Sequence, residues 1–83
     1  MEVVFHPHAR ERLAERGVTE DEAVSAVKGG ERFSAKFGRV GFRRNFSYGK
    51  QWRGKYYATK QVEVFAVEES HQWVAITTIA RYF

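Results

Sequence analysis

Eighty-three residues make room for one domain, and at this size only about 60 to 65 percent of the unfolded chain's surface becomes buried, so the core must be small. Hydrophobic residues at 43% and aromatics at 16% argue against a disordered chain, and the lack of cysteine excludes a disulfide scaffold, a thiolate nucleophile and a cysteine-type zinc site. The net charge of +4 hides a division: residues 32 to 62 hold nine basic residues and no acid, and the rest of the chain holds five basic and ten acidic ones.

In chain order, Glu2 to Phe5 reads as a short apolar lead-in. Pro7 follows at a place suited to the first turn of a helix, because it has no amide hydrogen to leave unpaired. Ala9 and Leu13 predict a buried stripe on a helix from Pro7 to Arg16, and Gly17 is a natural C-terminal cap. Thr19-Glu20-Asp21-Glu22 has the form of a capping box, with three carboxylates where the helix dipole favours them. Ala23, Val24 and Val27 mark the buried face of this second helix, and Gly29-Gly30 ends it.

From there the apolar period shortens to two. Phe33, Ala35 and Phe37 alternate, and after Gly38-Arg39 so do Val40, Phe42, Phe46 and Tyr48, which predicts two strands around a tight turn. Gly49 to Gly54 reads as a loop, Tyr56 to Val67 as a long strand, Glu68 to His71 as a turn and Gln72 to Tyr82 as a last strand. The expectation is a single α+β domain over residues 1–83, with two N-terminal helices packed on one face of a four-stranded antiparallel sheet. Alternation turns Val40, Phe42 and Phe46 toward the helices and Arg43, Asn45 and Ser47 away. In the last strand it groups Val74, Ile76, Thr78 and Ala80 on the helix side. Trp73, Thr77, Ile79 and Arg81 then take the open side, where Arg43, Thr77 and Arg81 converge. Lys60 shares the phase of Val62 and Val64, which implies a strand end in solvent or an intervening bulge.

The acid-free segment also carries eight aromatic residues, so cationic heads alternate with flat rings. Lys and Arg near phosphates release condensed counterions, and exposed rings stack on unpaired bases for roughly 1 to 3 kcal/mol each. Lys36, Arg39, Arg44, Lys50, Trp52, Arg53, Lys55 and Lys60, with Arg16 from the first helix, are the candidate nucleic-acid contacts, Trp52 being the stacking finger of an exposed loop. The plainer alternative makes the rings core and the charges a solvated back of the sheet, although such a face normally mixes its signs.

His8, Arg12 and Arg16 recur every four residues and run along one edge of the first helix. A histidine in a first helical turn suits general-base work on a ribose hydroxyl, with guanidiniums holding the phosphate. The alternative has both arginines paired with Glu15, Glu20 or Glu22 and His8 packed on the sheet.

A His-Ala followed by Arg-x-x-x-Arg-Gly, a Thr-capped second helix and a meander ending in Ile-Thr-Thr resembles a small bacterial family known only as a domain of unknown function. That family and the order of elements are similar to RelE, ParE and BrnT-type toxins and to the wider barnase, EndoU, colicin and RelE group of ribonucleases. The resemblance implies a RelE-like fold and metal-independent RNA cleavage, in which a 2'-hydroxyl attacks the adjacent phosphate. On this chain it implies His8 as base or acid, Arg12, Arg43 and Arg81 on the phosphate, and Thr77 or Tyr82 as hydroxyl contacts. It also implies an antitoxin-like protein partner.

Two other classes stay open beside RNA cleavage. One is a non-catalytic nucleic-acid-binding module, which needs only the basic aromatic segment. The other is a protein-interaction domain, with Trp73, Ile79, Tyr82 and Phe83 as its contact patch. A metal site at His6 and His8 with His71 is a weaker candidate, and no metal is expected. No Gly-rich phosphate loop follows a strand, so no cofactor is expected. No stretch approaches the roughly 20 apolar residues that cross a bilayer, and the N-terminal residues lack a signal-peptide pattern. The expectation is a cytoplasmic protein, a monomer or small homo-oligomer, with no membrane partner.

Overall fold

The computed structural model describes residues 1–83 as β1 (Glu2–Phe5), α1 (Pro7–Leu13), a 3-10 turn (Ala14–Arg16), α2 (Glu20–Gly29), β2 (Glu31–Ser34), β3 (Val40–Trp52), β4 (Lys55–Glu69) and β5 (Gln72–Tyr82). Gly17 ends the first helical stretch in the left-handed conformation, φ 70°, and its N–H donates to the Ala14 carbonyl at 3.1 Å. The capping box of α2 is complete: Glu22 N–H donates to Thr19 Oγ1 at 3.1 Å, and Thr19 N–H donates to Glu22 Oε1 at 3.0 Å.

The strands lie in the order β1-β5-β4-β3-β2, and β1 runs parallel to β5 with Glu2 opposite Gln72 and Phe5 opposite Ala75. The expected four-stranded antiparallel sheet, and the RelE-like architecture with it, is therefore corrected to a five-stranded mixed sheet. Glu2 to Phe5, read as a lead-in, is the fifth strand. Its four residues carry no alternation, and it pairs with the far end of the chain, so nothing local announces it.

Three hairpins join the antiparallel strands. Phe37-Gly38, Arg53-Gly54 and Ser70-His71 each occupy a two-residue turn with both φ values positive, from 50° to 85°. This mirror-image turn matches the right-handed twist of the flanking strands. The segment from Gly49 to Gly54, expected as a loop, is strand up to Trp52, and Trp52 faces Lys55 across the turn. Tyr48 and Gly49, with Gly49 at φ 61°, form a bulge opposite Ala58.

α1 packs over β5, and α2 packs over β3 and β4. The core between helices and sheet holds Leu13, Val18, Ala23, Ala26, Val27, Phe42, Val62, Val64, Ala66, Trp73 and Ala75. A register shift between Phe65 and Ala66 places Trp73 and Ala75 in this core, and Phe42 meets the Trp73 ring edge-on at 5.0 Å. The open-face assignment of Trp73 is thus corrected, since one bulge reverses every assignment beyond it. No helix is long and apolar enough to cross a membrane.

Candidate nucleic-acid interface

The helices cover one side of the sheet, and the residues opposite Phe42, Val62, Val64 and Ala80 form the other. In register across β3, β4 and β5, that second face carries Gly41 beside Phe65 and Thr77, Arg43 beside Glu63 and Ile79, and Asn45 beside Gln61 and Arg81. β2 adds Phe33 next to Gly41 and Glu31 next to Arg43. A Cβ on Gly41 would collide with the Phe33 ring, so the missing side chain is what lets that ring pack against β3 there. Phe33 meets Phe65 edge-on at 5.9 Å, and the Arg43 guanidinium sits 4.5 Å above the Phe33 ring.

Glu63 organises the centre of this face. It is 3% exposed, its Oε2 lies 2.6 Å from Arg43 Nη2, and its Oε1 accepts from Arg81. Arg43 reaches on to Glu31 at 3.2 Å. Burial pushes the Glu63 carboxyl up, and the hydrogen bonds and charges of Arg81 and Arg43 outweigh it, so its pKa lies below the ordinary value. The quartet of Glu31, Arg43, Glu63 and Arg81 is electrically balanced, and its arginines are held for the sheet.

Unbalanced charge lies beside it. The turn from β2 to β3 helps line a cleft of about 390 Å³, together with Phe65 and Thr77, and contributes Phe33, Lys36, Phe37 and Arg39 to it. No carboxylate lines this cleft, and neither Lys36 nor Arg39 makes an ion pair. Phe37 stands at the turn with φ 62° and 87% of its surface exposed.

The other cations expected at the interface are mostly committed elsewhere. Arg16 donates to the Thr78 carbonyl, Arg44 to Ser25 Oγ at 2.5 Å and Arg53 to the Glu15 carbonyl at 2.9 Å. Lys60 is 5% exposed; its Nζ donates to the Gly17 carbonyl at 2.7 Å and pairs with Glu22 at 2.8 Å. Neither a solvent-reaching strand end nor a bulge in its own strand was needed to place it: Lys60 stays in phase with Val62 and is satisfied inside. Lys50 and Lys55 have no carboxylate partner and lie over the Tyr48 and Tyr57 rings at 5.1 and 5.6 Å. Trp52 is not a free finger, because it stacks on Tyr82 at 5.0 Å.

The residues expected to act together in catalysis are divided by the sheet. Arg43, Thr77 and Arg81 are on the open face, although Thr77 lines the aromatic cleft and not the Glu63 quartet. His8, Arg12, Arg16 and Tyr82 are on the helix side. His8 is exposed and its N–H donates to His6 Nδ1 at 3.2 Å, while Arg12 faces Glu15 at 3.6 Å. The Tyr82 hydroxyl donates to the Arg16 carbonyl at 2.7 Å. Its pKa is pushed up to about 12 by burial, and then by Tyr48 and Glu22. No three histidines or carboxylates come together as a metal set, so His6, His8 and His71 do not converge.

Phe33, Phe37, Phe65 and Glu63 were absent from the expected site. Phe37 carried a usable signal, since an aromatic immediately before a glycine between two alternating runs falls on a turn and not in a core. Phe65 and Glu63 lie outside the acid-free segment, and only the register across β3 and β4 brings them to it. Among known proteins, no family model, curated protein or solved structure matches this chain.

Proposed function

We propose that this chain binds single-stranded RNA on the open face of its sheet, at the end bordered by the β2–β3 turn. The observation that carries the reading is an aromatic cleft flanked by Lys36 and Arg39, with no carboxylate in its lining. Unpaired cations attract the phosphate chain, and ring faces accept bases without demanding a sequence. Duplex RNA hides its bases, so the aromatic half of the site selects single strands. Such a protein would work in the cytoplasm.

Fluorescence anisotropy of labelled single-stranded and duplex RNA tests this. The single strand should bind at least about tenfold tighter, because stacking on exposed rings is lost in a duplex. Equal affinity would leave only a charged surface, and no binding would remove the reading. The cleavage implied by the toxin resemblance rests on His8. Incubation of RNA in excess chelator, with analysis of product ends beside His8→Ala, separates it from binding; the division of the candidate catalytic residues between two faces supports intact RNA.

A second reading, an antitoxin-like protein partner, draws on the edge of β5. Thr59 and Phe83 exchange both backbone hydrogen bonds, at 2.8 and 3.0 Å, which fixes the phase of the ladder. Thr77, Ile79 and Arg81 then turn their N–H and C=O groups toward β4, while Thr78, Ala80 and Tyr82 turn theirs outward. β1 covers only Gln72 to Ala75, and Arg16 takes the Thr78 carbonyl, so Ala80 and Tyr82 keep backbone groups for an added strand.

A further inference from the structure

Phe37 occupies the first central position of a tight turn: Arg39 N–H donates to the Lys36 carbonyl at 3.2 Å, and Phe37 and Gly38 have φ values of 62° and 70°. That position favours Asn, Asp or Gly, and a bulky L-residue there is strained. The residue is also 87% exposed, so burial does not offset the strain. Arg53 and Ser70 take the same backbone conformation in the other hairpins, so what sets Phe37 apart is a large apolar side chain held out in solvent, where a molecule outside the folded chain can meet it.

The surroundings state what that is. The cleft that Phe37 lines measures about 390 Å³, within the range of roughly 300 to 1,000 Å³ usual for small-molecule sites. Phe33 and Phe65, set at 88° to one another, form its apolar wall. Thr77 contributes a hydroxyl that both donates and accepts, and Lys36 and Arg39 contribute positive charge on the turn side. A flat apolar base edged with polar groups and joined to a phosphate matches all three features. A fused two-ring base covers more of the aromatic surface than a single ring does.

Resting on the RNA-binding reading, we propose that this cleft is a nucleotide pocket that takes one unpaired purine nucleotide, the base against Phe33, Phe37 and Phe65 and the phosphate on Lys36 and Arg39. Thr77 meets the edge of the base. The rest of an RNA strand runs across the sheet, and this one nucleotide fixes its position.

Titration of the full chain with 5'-AMP, followed by amide NMR shifts, tests the pocket directly. UMP, adenosine and inorganic phosphate are run in parallel, with Phe37→Asn as the variant, since asparagine suits the turn and keeps the fold. Expected are shifts confined to Phe33–Arg39, Phe65 and Thr77, AMP tighter than UMP, and a loss of about tenfold in AMP affinity in Phe37→Asn. Adenosine or phosphate alone should bind at least about tenfold more weakly than AMP, because each makes half of the contacts. Unchanged AMP affinity in Phe37→Asn, or shifts elsewhere on the chain, would overturn the pocket. Single-stranded RNA that binds while AMP shifts nothing at the cleft would overturn the pocket and leave the broader reading standing; failure of both ligands would remove both. AMP bound at the cleft by a protein that ignores RNA would keep the pocket and discard the RNA.

Discussion

The indole of Trp52 lies nearly parallel to the Tyr82 ring, with centroids 5.0 Å apart and planes 14° apart. The stack closes the tip of the β3–β4 hairpin onto the end of β5, directly against Gly17 at the close of the first helical stretch. A Cβ on Gly17 would come within 2.5 Å of the Tyr82 hydroxyl and 2.7 Å of the indole, at a φ of 70°. Gly17→Ala should therefore lower the unfolding free energy by about 2 kcal/mol or more, from left-handed strain plus the clash. Urea denaturation measures it, and an unchanged midpoint would mean that the hairpin tip is not seated there.

Tyr82 reports on the same contact through its proton. Its pKa is raised from 10.0 to about 12, so its contribution to stability is complete below pH 10 and is lost as pH rises toward 12. Of the four tyrosines, one should ionise late in an ultraviolet titration, and Tyr82→Phe should delete that late step.

Glu63 gives the opposite dependence. Its folded pKa is depressed below the ordinary carboxylate value, so its stabilisation is complete above that ordinary value and is lost as acid protonates the folded form. Glu63→Gln should destabilise the protein by about 2 kcal/mol at neutral pH, because Arg43 and Arg81 lose their shared anion. The variant should also flatten the fall in stability on the acid side. Thermal melts between about pH 6 and pH 3 compare the two slopes.

Phe37→Asn should separate stability from binding. Asparagine tolerates the left-handed region, so the unfolding free energy should rise by about 1 kcal/mol. RNA affinity should fall in the same variant, a trade expected where a strained residue is kept for contact. A variant that gains stability and loses no affinity would show that the ring serves neither.

Local chemistry was legible in this sequence where one segment decides it. Thr19-x-x-Glu22 announced its capping box, Gly17 its cap, and the alternation of β3 the sides taken by Phe42 and Arg43. Long-range pairing was not. β1 depends on meeting Gln72 to Ala75, about 70 residues away, and no pattern in four residues encodes that partner. The acid-free run from Arg32 to Lys60 looked like one continuous cationic surface. Burial and carbonyl partners instead drew Lys60 and Arg53 from it, with Arg16 from the first helix, into the junction of helices and hairpin, while Glu63, just past the run, neutralised Arg43. Charge along a sequence counts only those cations that the fold leaves unpaired, and around the cleft these are Lys36 and Arg39.

The central claim is tested most directly by the salt dependence of single-stranded RNA binding, measured for the wild type and for the double variant Lys36→Ala, Arg39→Ala. Each phosphate contact adds about 0.7 to the slope of log affinity against log salt, so the double variant should bind more weakly with a slope shallower by about 1.4. Identical slopes and affinities, or a wild type indifferent to salt, would contradict RNA binding at this face.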